Sequence, residues 1–132
     1  MTETFAPSLD DIAGIAQAAF ARLPEPFQSL CAQIVIRVDE FAEDAVLAEL
    51  GIESPFDLSG LYQGVDLSQM SVQHSGLPPN QIRLYRRSLL DEWCERGDIA
   101  LERLVAHVLI HEIGHHFGLS DADMERIERA AG

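Results

Sequence analysis

Two histidines four residues apart, with a glutamate directly after the first, stand at His111, Glu112 and His115. On a helix, residues at i and i+4 lie one turn apart on one face, so two imidazoles so spaced can bind a single metal ion from one side. Glu112 is turned by about 100° from His111 at the helical repeat. It can flank the ion without ligating it and take a proton from a metal-activated water. Two histidines and a general base in this order make up the working parts of a hydrolytic zinc centre. The five-residue pattern alone would arise in on the order of 2 in 100 shuffles of this composition. The run continues as His116-Phe117-Gly118-Leu119-Ser120-Asp121. Requiring Gly118 and Asp121 as well lowers the chance to about 1 in 10,000.

The added residues have physical uses. A catalytic zinc takes three protein ligands and keeps one position open, and the helix supplies only two. Gly118 can adopt the left-handed conformation that ends a helix and turns the chain back. That turn would bring Asp121 towards the ion as a carboxylate ligand. The same two residues also suit an ordinary helix C-terminus and an acid in the first turn of the next helix. Asp123 and Glu128 on the last helix are therefore alternative third ligands. His107 lies one turn before His111 on the same stripe and reads as packed or hydrogen-bonded beside the site, or as a support behind a ligand. His116 is offset from the pair and reads as structural or supporting. His74 falls in a polar loop. Tyr62, Tyr85 and Arg83 to Arg87 are candidate substrate contacts that also suit a sheet face and surface charge.

The elements that must hold these groups follow from pattern. Ser8 with Asp10 and Asp11 opens a helix whose apolar positions run from Leu9 to Leu23, where Pro24 and Pro26 stop it. Ile34 to Val38 is β-branched and reads as a strand. A short helix over Asp44 to Leu50 closes at Gly51. Leu61 to Val65 suggests a strand broken at Gly64, and Asp66 to Asn80 a long loop. Ile82 to Tyr85 alternates as a half-buried strand. Ser88 is expected to open a helix ending at Gly97, and Asp98 to cap the next, which is apolar on most of its circumference and therefore buried. Burying two histidines and a glutamate in it without a partner would be costly. Ser120 and Asp123 should cap the last helix. The order implies an α+β fold, a small sheet with helices packed on it.

Composition bounds the rest. The 132 residues allow one domain, 1–132, large enough to bury a core without disulfides. No apolar run is long enough to span a membrane, and Met1 to Pro7 does not look like a secretory leader. With 22 acids against 9 bases, all arginine, the net charge is −13, which argues against nucleic acid and anionic membranes as partners. Cys31 and Cys94 have no metal or redox spacing and read as two buried thiols in a reducing, cytoplasmic setting.

The run HEIGHHFGLSD resembles the motif of the small bacterial minimal-zincin metallopeptidase-like proteins. Leu58 to Gly64 and Ile82 to Arg86 are similar to pieces of the same family, so the resemblance spans about Ile34 to Glu128. It implies a compact zincin fold, with a small mixed sheet above an active-site helix. It implies one zinc ion held by His111, His115 and Asp121, with Glu112 as base. The motif is also similar to that of metzincins, with aspartate in place of their third histidine. Metzincins carry a methionine turn well downstream, whereas Met124 here follows Asp121 by only three positions.

These readings converge on a zinc-dependent peptidase with an open, shallow site for peptides or flexible protein segments. The rival is a metal-binding or interaction protein that keeps the site with little turnover. If the cleft shares the overall negative charge, basic peptides should be cleaved faster than acidic ones and the preference should fade with added salt. Salt-independent cleavage without that preference would refute the expectation.

Overall fold

The computed structural model describes residues 6–25, 27–64 and 80–131. Helix α1 (Leu9–Ala21) begins with a reciprocal cap. Ser8 Oγ accepts the Asp11 N–H at 3.1 Å, and the Asp11 carboxylate accepts the Ser8 N–H at 2.8 Å. A one-turn helix α2 (Phe27–Leu30) leads to strand β1 (Val35–Asp39). Helix α3 (Asp44–Leu50) ends at Gly51, whose φ of 70° lets its N–H return to the helix carbonyls. A short 3-10 turn over Pro55–Asp57 precedes β2 (Gly60–Gln63). Strand β3 (Gln81–Tyr85) runs straight into α4 (Arg86–Arg96), followed by α5 (Leu101–Phe117) and α6 (Asp121–Ala131).

The sheet order is β1-β3-β2. β1 pairs with β3 in parallel, Val35 opposite Gln81 through Asp39 opposite Tyr85. β2 pairs with β3 antiparallel, Gly60 opposite Leu84 through Gln63 opposite Gln81. The fold is therefore α+β, with a mixed three-stranded sheet among the described residues. Alternation along β3 sends Ile82 and Leu84 to one face and Tyr85 to the other. The first face meets Leu104, Val105, Leu109, Ile110 and Ile113 of α5, backed by Ile12 and Ala16 of α1. Each such aliphatic side chain contributes roughly 1.5–3 kcal/mol by leaving water. The opposite face closes a smaller cluster of Tyr85, Ala42 and Leu47. The long helix is thus fixed from several sides, as its nearly continuous apolar circumference requires.

Several local expectations change. Helix α4 starts two residues before Ser88, at the end of β3, with no side-chain cap. The Ser88 hydroxyl instead donates to the Pro55 carbonyl at 2.8 Å, tying the 3-10 turn to the helix. Asp98 does not cap α5, whose N-cap is Ala100. Ile99 stays outside the helix because its carbonyl takes the Trp93 indole N–H at 2.9 Å. Only Cys31 is buried; Cys94 is exposed on α4, and both are free thiols. Burial pushes the Cys31 thiol up to about 11. The expected loop from Asp66 to Asn80 and the Val65 end of its preceding strand lie outside the described residues, apart from Asn80. No helix among the described residues is long and apolar enough to cross a membrane.

One glycine sets the distance between sheet and helix. A Cβ on Gly60 would stand 2.6 Å from Val108 Cγ1 and 3.4 Å from Glu112 Cγ. Gly60→Ala should therefore cost about 1–3 kcal/mol through overpacking, and Val108→Ala in the same chain should recover part of it. Thermal and denaturant unfolding measure both; an unchanged stability for Gly60→Ala would contradict this packing.

Candidate metal centre

Helix α5 carries His107, His111 and His115 at four-residue steps, so all three share one stripe. Glu112 is set aside from that stripe and faces the sheet. Its residue keeps only 8% of its surface in water. The open edge of β2 explains how this is tolerated. The Tyr85 N–H bonds Ser59 O, and in an antiparallel pair the inward-bonding residues alternate. Tyr62 thus presents its N–H away from β3, and that N–H donates to Glu112 Oε2 at 3.1 Å. His115 Nδ1 lies 3.1 Å from the same oxygen. Burial raises the Glu112 carboxyl above its usual range, and the His115 charge and the two hydrogen bonds offset only part of that. Such a carboxyl holds a proton more readily than an exposed one.

At the other end of the stripe, His107 Nδ1 is 3.0 Å from both carboxylate oxygens of Glu128 on α6. The His107 and His111 rings stand 4.2 Å apart between centroids, tilted by 44°. One ligand atom each from His107, His111 and Glu128 lie within 4.8 Å of one another. Burial, then the neighbouring His107, lowers the His111 pKa, while Glu128 and Asp121 pull it up. The outcome favours the neutral imidazole, the form that ligates metal.

The expected set is partly assembled. His111 and His115 sit one turn apart on α5, and Asp121 lies in the first turn of α6, near enough for its charge to act on His111. His115 is largely exposed and turned towards Glu112. Among the described residues, the only trio of His, Cys, Asp or Glu gathered within 4.8 Å is the one containing His107 and Glu128; His111, His115 and Asp121 are not so gathered. Asp123, an alternative ligand in the sequence, is occupied elsewhere. Its carboxylate accepts the Ser120 N–H, its own backbone N–H donates to Ser120 Oγ at 3.2 Å, and it pairs with Arg126. Hydrogen bonding to Ser120 holds its carboxyl below the ordinary value.

The other candidates have structural employment. Arg83 bonds Asp39 and Gln63, Arg86 bonds Glu40 and Pro7 O, and Arg87 lies over the Phe41 ring. Tyr85 is buried beneath α3, with its phenol pushed up by desolvation. His74 and the His116 side chain lie outside the described residues.

Residues that pattern reading missed are glycines and a long-range partner. A Cβ on Gly114 would meet Met124 Sδ at 2.0 Å, so the glycine inside the motif is what lets α6 lie close on α5. Gly60 does the same for β2. The pairing of His107 with Glu128 spans 21 residues, beyond any local signal, although the i−4 spacing of His107 marked it as a member of the stripe.

A family model described as zincin-like metallopeptidase matches residues 31–131, from just before β1 to the end of α6. No curated protein matches the chain.

The reversal between α5 and α6 depends on Gly118, with φ at 67° and no heavy atom near the position a Cβ would take. Its requirement is purely conformational. Gly118→Ala should cost about 1–2 kcal/mol, and Gly118→Asn less, because asparagine tolerates the left-handed region. Equal stabilities of the alanine, asparagine and wild-type chains in denaturant would refute this role.

Proposed function

This chain belongs to the zincin-like metallopeptidase family, and on that footing we propose that it is a zinc-dependent peptidase. The observation that carries the reading is the position of Glu112. It is a buried carboxyl fixed by a strand-edge N–H, adjacent to a stripe of imidazoles. The donor set suits zinc: imidazole nitrogens on α5 and carboxylates supplied by α6. In this reading His111, His115 and Asp121 hold one zinc ion. His115 is exposed enough to turn from Glu112 to the ion. When bound, zinc would lower the pKa of a water towards about 7 and polarise a scissile carbonyl.

The protein's own groups supply the rest. Glu112 acts as general base, receiving the proton of the attacking water and delivering it to the leaving amine. The Tyr62 N–H keeps the carboxylate from rotating out of line. β2 is an edge strand, and an extended peptide segment can add to it if the Tyr62 N–H passes from Glu112 to the substrate backbone as the peptide binds. That is the basis for proposing peptides or flexible protein segments as substrate. The two free thiols agree with a cytoplasmic setting.

A second reading, metal binding without turnover, is favoured by one observation. The gathered trio of His107, His111 and Glu128 makes no use of Glu112.

A peptide-library digest with metal analysis separates the two. Glu112→Ala should retain zinc and lose about 10²–10⁴-fold in cleavage. A wild-type chain that takes up no zinc from zinc-replete buffer would refute the peptidase reading. Zinc in both chains with cleavage by neither would favour the non-catalytic one. In a chain whose gathered trio is disabled by His107→Ala and Glu128→Gln, Asp121→Ala should weaken zinc binding by more than the roughly 10–100-fold expected for a residue standing behind a ligand; unchanged affinity there would remove it from the set.

A further inference from the structure

We propose that the α5–α6 hairpin holds a second zinc position, formed by His107, His111 and Glu128, which competes with the peptidase position for His111. One ion then occupies either of two registers along the helix, and the inner register is a resting state remote from Glu112. The inference rests on reading His111 as a zinc ligand.

Three imidazoles at i, i+4 and i+8 make two overlapping pairs, and the middle one belongs to both. The returning helix α6 offers a carboxylate to each pair. Asp121 is in its first turn, beside the Gly118 reversal that follows His115. Glu128 lies seven residues further, about 10 Å along the helix axis, and reaches His107. The inner set is the one already gathered. His107 Nδ1 is 3.0 Å from both Glu128 oxygens, the His107 and His111 rings are 4.2 Å apart, and one ligand atom from each residue lies within 4.8 Å of the others. Nitrogen, nitrogen and carboxylate oxygen from three residues make a set that zinc accepts, with room for solvent as the remaining ligand.

Access and exclusivity also follow from position. His107 and Glu128 line a cleft of about 730 Å³ together with Ala106, Ile110 and Glu125, so an ion can reach them from solvent. Glu112 directs its carboxylate to Tyr62 and His115, away from Glu128. An ion in the inner register therefore has no base beside it. Because both registers need His111, filling one empties the other, and the chain should bind one ion, not two.

The test uses zinc titration calorimetry and cobalt(II) absorption on the whole chain. His115→Ala with Asp121→Ala disables the outer register at two exposed positions, and circular dichroism checks that the chain stays folded. This double variant should still bind one zinc ion and one cobalt ion. Adding His107→Ala or Glu128→Gln should reduce that binding by at least about tenfold. In the reverse arrangement, His107→Ala with Glu128→Gln should still bind one ion, with a cobalt spectrum different from that of the double variant. A folded His115→Ala/Asp121→Ala chain that binds neither metal would overturn the proposal, and so would two ions on the wild type. The peptidase reading stands or falls separately, on Glu112→Ala: binding at the inner register could persist in a chain that cleaves nothing.

Discussion

A carboxylate taken out of water needs partners, and the centre of this molecule is arranged around one such group. Glu112 is nearly buried on the sheet side of α5, and its desolvation is met by a backbone N–H from β2 and an imidazole from its own helix. A hydrogen bond to an ionised group contributes about 1.5–3 kcal/mol, and losing it would leave the charge uncompensated. The contact forms only if β2 lies against α5 at close range, which Gly60 permits and a side chain there would oppose by pressing on Val108. It also requires β2 to be an edge strand, since in the middle of the sheet the Tyr62 N–H would be claimed by another strand. Sheet order, the choice of glycine and the burial of α5 are thus linked through one oxygen atom.

The second linkage is between α5 and α6. Gly118 reverses the chain, the Ser120–Asp123 box starts α6, and Gly114 accepts Met124 so that the two helices close. This hairpin decides which carboxylates face the imidazole stripe. Asp123 is spent on its cap, leaving Asp121 near the reversal and Glu128 beside His107. The methionine that follows the motif so closely in sequence is therefore a spacer between helices, buried to within 3% of its surface. The acidity of the chain enters here only locally, through the few carboxylates that reach the stripe.

Much of this was legible in the sequence where the cause is local. The Ser8 capping box, the β-branched strand, and the left-handed ends at Gly51 and Gly118 each depend on residues within one turn of each other. The His111, Glu112 and His115 spacing is local in the same sense, and the fold class followed from the order of such segments. The starts of α4 and α5 were misread because Ser88 and Asp98 look like caps, while Ser88 is used by the Pro55 carbonyl and the chain around Ile99 is held by Trp93. The central place of β3, the reasons for Gly60 and Gly114, and the meeting of His107 with Glu128 all depend on what approaches from elsewhere in the chain. No periodicity carries that information.

The central claim is that one zinc ion binds the α5 stripe through His111 and that Glu112 does not ligate it. The most direct measurement is an anomalous-difference map at the zinc edge from crystals grown with zinc. The account predicts one peak, within coordination distance of a His111 nitrogen, at about 2.0–2.1 Å, with both Glu112 oxygens outside the coordination sphere. A peak coordinated by Glu112, or zinc bound only at sites that leave His111 free, would contradict it.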